Sequence, residues 1–257
     1  MKKPWGLRKI AGILGCLLFP LGCSPAVREG AIEVLEVLPH DTTAYTQGLV
    51  LHQGVLYEST GRYGYSTVRR VDPSSGEVLA SVPLDSTYFG EGLEIIEGRL
   101  VQLTWKEHLA FVYDIESLER VDSLPVSTFG WGLCSDGETA FMTGGGALLY
   151  KLDGASWTSK DRVEILRKGV PLREVNELEC VGSHIFANVY QSTVIVQIDA
   201  ETGNVVAEFD AAALVPDHLR GSPDAVMNGI AYDRDSDTFF VTGKLWPVMY
   251  RVRLNGD

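Results

Sequence analysis

The sequence predicts an all-β fold, a five-bladed β-propeller whose last blade is closed by an N-terminal strand. Three observations carry that prediction. After residue 30 the chain is a series of short runs rich in Val, Ile, Leu, Tyr and Phe, punctuated by Gly, Asp, Ser and Pro, the pattern of strands and tight turns. Five of these runs align with one another, their first residues spaced 44, 40, 45 and 52 apart, a period that fits a four-stranded blade. The fifth repeat is one strand short, and a spare strand stands before the first.

Taken in order, the chain opens with "MKKPWGLRKIAGILGCLLFPLGCSP". Lys2, Lys3, Arg8 and Lys9 precede an apolar stretch from Ile10 to Leu21, the charged and apolar regions of an export signal. Gly22-Cys23-Ser24 follows, so residues 1–22 read as a lipoprotein-type signal peptide with Cys23 lipidated, simple secretion being the alternative. The protein is expected outside the cytoplasm, periplasmic or anchored in a bacterial envelope. Residues 23–30 read as a linker and 31–257 as the propeller. "AIEVLEVL" at 31–38 supplies the strand that the last blade lacks, which removes an exposed sheet edge.

The five repeats begin "QGLVLHQGVLYES", "EGLEIIEGRLVQL", "WGLCSDGETAFMT", "NELECVGSHIFAN" and "NGIAYDRDSDTFFVT". Each reads as strand, polar turn, strand. A third strand ends in Asp in four repeats, at Asp72, Asp114, Asp153 and Asp199, and a fourth follows. Helical periodicity is absent after the leader, apart from a turn or two around "DAAALVPDHL".

The formal net charge is −12, and −16 without the four basic residues of positions 1–22. No stretch is basic enough to bind nucleic acid. The five histidines are scattered, and no Cys/His spacing suggests zinc. Cys134 and Cys180 lie in apolar strand-like runs and read as free buried thiols, although two cysteines in an exported protein can also pair. A ring closed by its own N-terminal strand needs no partner, so a monomer is expected.

In a propeller the first strand of each blade lines the axis, so the repeat starts Gln47, Glu91, Trp131, Asn176 and Asn228 gather at one level. Their Gly and Leu/Ile neighbours recur while the leading residue varies, as a scaffold around a site would. Fourteen residues on stand Gly61, Trp105, Gly145 and Tyr190; a turn two residues longer brings Lys244 into the same register. One carboxylate, one amine, amides and aromatics suit a small organic ligand. The glycines flanking Glu91 in "YFGEGLEII" are expected to leave room for it. Beside Phe89 and Trp131, burial raises the pKa of Glu91 toward neutrality, as acid–base catalysis requires. The absence of a second placed acid disfavours a glycosidase, and no nucleophile elbow or phosphate loop appears. A non-catalytic envelope propeller, ligand-binding or scaffold, is the rival reading.

"YTQGL", "ESTGRYGYS", "FGEGLE", "QLTWKE", "GWGLCSDG", "NELE", "NGIAYD" and "TGKLWP" occur in order between about residues 32 and 254. In these the chain resembles the glutamine cyclotransferases of the plant and bacterial type. The resemblance implies a five-bladed propeller that converts the N-terminal glutaminyl residue of peptides and proteins to pyroglutamate with release of ammonia. It assigns proton shuttling to Glu91 and the pocket to Gln47, Phe89, Trp105, Trp131, Asn176 and Lys244. On physical grounds Trp105 and Trp131 would wall the glutamine methylenes, while Asn176 and Lys244 would polarise the carboxamide. Tyr190 stands where the family is expected to carry tryptophan, and Tyr45 where phenylalanine occurs. The motifs require no metal or other cofactor, unlike the animal-type enzymes, which use zinc on an unrelated fold.

Overall fold

The computed structural model describes Met1 and residues 26–256; the expected signal peptide and Cys23 lie outside the described residues. The chain is all-β. It opens with β1 (Arg28–Pro39), then runs through β2 (Thr46–His52), β3 (Val55–Thr60), β4 (Thr67–Val71) and β5 (Val78–Pro83), an antiparallel sheet in that order. The second sheet is β6 (Gly90–Ile96), β7 (Arg99–Thr104), β8 (Leu109–Asp114) and β9 (Arg120–Pro125). The third is β10 (Leu133–Ser135), β11 (Thr139–Met142), β12 (Leu148–Asp153) and β13 (Ser159–Glu164). A small hairpin, β14 (Leu166–Arg167) and β15 (Val170–Pro171), precedes β16 (Val175–Val181), β17 (His184–Val189), β18 (Val194–Asp199) and β19 (Val205–Asp210). Two 3-10 turns, Ala212–Leu214 and Asp217–Leu219, occupy the "DAAALVPDHL" segment, and β20 (Met227–Asp233), β21 (Thr238–Gly243) and β22 (Val248–Asn255) complete the chain.

The spare N-terminal strand goes to β22. Ala31 to Pro39 pair antiparallel with Asn255 to Val248, with one irregularity between Val34 and Glu36. The strand also begins earlier than expected: Arg28 to Gly30, read from sequence as linker, run parallel to Ala207–Phe209 of β19. β1 thus joins two sheets into one of eight strands, in the order β16-β17-β18-β19-β1-β22-β21-β20.

The recurring Asp has a local explanation. In each of its four repeats the Asp carboxylate accepts backbone amides of the following turn, from Ser75, Ser117, Ser156 and Thr202 at 2.8–3.0 Å. Four residues after the Asp, the chain turns through positive φ, at Gly76, Leu118, Trp157 and Gly203. The short acidic side chain makes that turn by bonding backbone locally, and it does so even where the left-handed residue is Leu118 or Trp157.

The core lies between neighbouring sheets. Leu93, Leu100 and Phe111 pack on Val50 and Val68; Leu133 and Met142 pack on Val101 and Leu103. Similar apolar layers join the third sheet to the fourth, β16–β19 to β20–β22, and β20–β22 back to β2–β4. The first strands meet in the same cycle: β2 with β6, β6 with β10, β10 with β16, β16 with β20, and β20 with β2. Glycine makes these contacts close. A methyl on Gly92 would stand 2.5 Å from the Trp131 carbonyl oxygen, and one on Gly132 would overlap the Asn176 carbonyl. The glycine after Glu91 therefore makes room for the next strand rather than for a ligand, and Gly90 likewise abuts Gln102 and the Thr60 carbonyl. Gly132→Ala is expected to cost about 1–3 kcal/mol, as overpacking does, seen as a lower urea midpoint; an unchanged midpoint would mean that the strands spread freely.

The free-thiol expectation is corrected. Cys134 on β10 and Cys180 on β16 form a disulfide, with Cα atoms 5.5 Å apart. The two strands belong to different sheets but lie side by side, a proximity that 46 residues of separation conceal.

Candidate active site

A cavity of about 220 Å³ opens at the end where the first strands begin. It is lined by Gln47, Phe89, Glu91, Trp105, Trp131, Asn176, Tyr190 and Lys244, the eight pocket residues expected from sequence, together with Tyr45. Register explains how they meet. Gln47, Glu91 and Asn176 are each the second residue of their strands, and Trp131 lies just before β10. The fourteen-residue offset is also structural. The amides of Gly61, Trp105, Tyr190 and Lys244 bond the carbonyls of Tyr45, Phe89, Glu174 and Val226, each two residues before a repeat start, at 2.8–3.0 Å. The longer turn of the last repeat does deliver Lys244 into line.

Two members of the second set contribute space. A side chain at Gly61 would collide with the Phe89 ring, and one at Gly145 with Trp131. Asn228, a repeat start, stays out of the lining; its amide donates to the Thr46 carbonyl and to Gln47 Oε1 at 3.0 and 3.3 Å. The aromatic walls brace one another: Phe89 lies 5.5 Å from Trp105, and Trp131 meets Tyr190 edge-on at 5.8 Å. The Lys244 ammonium rests 4.7 Å from the Tyr45 ring centre and 5.1 Å from that of Tyr190, within cation–π range.

Glu91 is 4% exposed and Lys244 2%. Burial pushes the Glu91 carboxyl well above the usual carboxylate range, Lys244 pulls it back, and Glu107 adds to the rise. Burial lowers Lys244 to about 8, against the attraction of Glu91. Glu91 Oε2 and Asn176 Oδ1 are buried without a hydrogen-bond partner among the described residues. Such atoms are costly to leave unmet, and these two line a cavity in which a ligand's N–H groups would meet them. Among the described residues no group of three or more His, Cys, Asp and Glu is arranged to hold a metal ion.

The opposite end holds a wider recess of about 610 Å³ lined by His52, Glu94, Glu179, Cys180, Arg234 and other residues. Its Glu94 serves the backbone. Glu94 accepts the amides of Ile95 and Ser135 at 2.6 and 3.2 Å. Outside the recess lining, Glu177 on β16, where the other repeats carry glycine, accepts the amides of Leu49 and Ile230 at 3.2 and 2.9 Å. The motif "NELE" points to Asn176, whereas Glu177 is signalled only by a break in the glycine pattern of the repeat starts. Burial raises Glu94 to about 7. A carboxyl raised in the folded state stabilises at acid pH, and that contribution is lost as pH climbs through the folded value. Wild type is therefore expected to lose up to about 3 kcal/mol relative to Glu94→Gln between pH 4.5 and 7. Melting curves across that range test it, and parallel curves for the two proteins would refute it.

Fold and pocket define a class: a propeller-like all-β protein with a small, aromatic-walled acid–base cavity at one end of its first strands. The chain belongs to the glutamine cyclotransferase family, whose model matches residues 11–254. It is 39% identical over 232 residues to the glutaminyl-peptide cyclotransferase of Arabidopsis thaliana, covering 88% of this chain and 72% of that one. It also superposes on the crystal structure of Myxococcus xanthus glutaminyl cyclase with a TM-score of 0.83 at 36% identity, over 90% of this chain and 99% of the other.

Proposed function

We propose that the protein is a glutaminyl-peptide cyclotransferase on a five-bladed propeller, with Glu91 as its proton shuttle. The observation that carries the reading is the buried Glu91–Lys244 pair in a cavity of about 220 Å³, large enough for one amino-acid side chain and its amine. The family supports the reaction; the cycle of first-strand contacts and the β1–β22 ladder support five blades and their closure.

In the reacting state the substrate's α-amine is neutral and Glu91 is a carboxylate. The amine nitrogen attacks the γ-carboxamide carbon of the same residue, so much of the ordering cost is met by the substrate itself. The proton released by the amine passes to Glu91. The carbon–nitrogen bond of the carboxamide then breaks, and Glu91 hands the same proton to the departing nitrogen, which leaves as ammonia. One N–H is lost from the amine, one is gained by ammonia, and Glu91 returns to its starting form. A carboxyl lifted above its ordinary value is both a better base and a closer match to the amine it serves. Lys244 and Asn176 face the cavity where the carboxamide oxygen gathers charge, and its ammonium stabilises that oxygen. Trp105, Trp131 and Tyr190 hold the methylenes and exclude water.

Incubating the protein with a Gln-initiated peptide tests this: the product should be lighter by one ammonia, with ammonia released in equal amount. Lys244→Met should lower kcat by about 10²-fold or more. A peptide that stays intact with wild type would leave the ligand-binding reading in its place. We also place the protein outside the cytoplasm, anchored by lipidated Cys23 or freely secreted, a reading that the disulfide supports because such bonds persist in oxidising compartments.

A further inference from the structure

A second cavity, of about 360 Å³, lies on the same end of the molecule, between β17–β18 and the segment before β20. Its walls include Val215, Leu219, Ala225, Val226 and Met227, with Gln191 at its edge. Three features join it to the candidate active site. Gln191 directly follows Tyr190, a wall of the first cavity. Val226 gives its carbonyl to the Lys244 amide at 2.9 Å. Arg62 stacks on Tyr45, another wall, at 4.5 Å, and reaches Asp224, which sits between Pro223 and Ala225 of the second cavity, at 3.9 Å.

Size makes the link consequential. The first cavity falls below the span typical of small-molecule sites, about 300–1,000 Å³, so it takes one residue. The peptide that follows must leave across the mouth, and an extended chain advances only about 3.3 Å per residue. The recess begins at Gln191, the residue that follows Tyr190 of the first cavity's wall.

We propose that this recess is a specificity subsite that takes an apolar side chain from the second or third residue of the substrate peptide. The inference rests on the cyclotransferase reading. Leu219 is its key wall, partly buried and carried on the 3-10 turn Asp217–Leu219 rather than on any strand that lines the first cavity.

The test compares kcat/KM for glutamine amide, Gln-Ala-Ala, Gln-Leu-Ala and Gln-Ala-Leu, each amidated, in wild type, Leu219→Ala and Leu219→Asp. Wild type should favour one leucine peptide over Gln-Ala-Ala by about tenfold. Leu219→Asp should abolish that preference and Leu219→Ala reduce it, while glutamine amide, which has no following residue, is turned over at the wild-type rate. Equal turnover of the three peptides by wild type, or a preference intact in both variants, overturns the subsite. Should Leu219→Asp lose glutamine amide turnover through misfolding, Leu219→Ala alone decides. A wild type silent on all four substrates overturns the cyclotransferase reading itself, a result distinct from turnover without preference.

Discussion

Glu91→Gln is expected to lower kcat on a Gln-initiated peptide by between about 10² and 10⁴, the range for a lost general acid–base group, while KM changes little. The substitution keeps shape and size, so the walls formed by Trp105 and Trp131 stay in place. What it removes is the ability to carry a proton from amine to leaving nitrogen. The fold should not suffer. Glu91 Oε2 is already buried without a partner, and its carboxyl is held well above its ordinary range by burial. Because the folded value is raised, ionising Glu91 weakens the native state as pH rises. The variant should therefore melt no lower than wild type at pH 5 and relatively higher at pH 8. Ammonia release and thermal melts read both halves of the expectation. Turnover within a few-fold of wild type would remove Glu91 from the mechanism, whatever the melts show.

The second large effect concerns the disulfide. Replacing Cys134 and Cys180 together by Ala should cost about 4 kcal/mol, the chain-entropy value for a 46-residue loop. For a protein of this size that corresponds to roughly 10 °C in Tm. Activity at moderate temperature should hold, because Cys180 lines the recess at the far end from Glu91. Melts with and without reductant, beside the double variant, distinguish the bond from the residues: reductant should lower wild type and leave the variant unmoved. A Tm that reductant does not shift would show that the bond contributes nothing to the folded state.

Much of this is legible in the sequence. The repeat starts placed Gln47, Glu91, Trp131 and Asn176 on one level because a strand's position in a repeat is a position in space. The offset of fourteen worked for the same reason: it spans one hairpin, and the hairpin returns the chain to the same end. Other features were hidden because they depend on what lies across the axis. Gly92 reads as room for a ligand, yet it and Gly132 are needed for the next strand's backbone. Glu177 looks like a departure from the repeat but satisfies two amides that no sheet partner reaches. Gly61 and Gly145 broke the pattern of side chains in the second set, yet their emptiness is what seats Phe89 and Trp131. The Cys134–Cys180 bond is hidden on the same account, since burial is local and pairing is not.

The eight-stranded sheet carries a consequence for how the molecule is assembled. β1 comes first among the described strands and pairs with β22, the last of them, so the ladder between them forms only once β22 is present. Bringing distant ends together adds little to the thermodynamic cost, since loop entropy grows only with the logarithm of length. Its toll falls on rate, because sequence-distant pairings form late and slowly. A chain still missing its last strand leaves β1 without that partner, and so favours a folding route in which the sheets form one by one and the join between first and last is the final step.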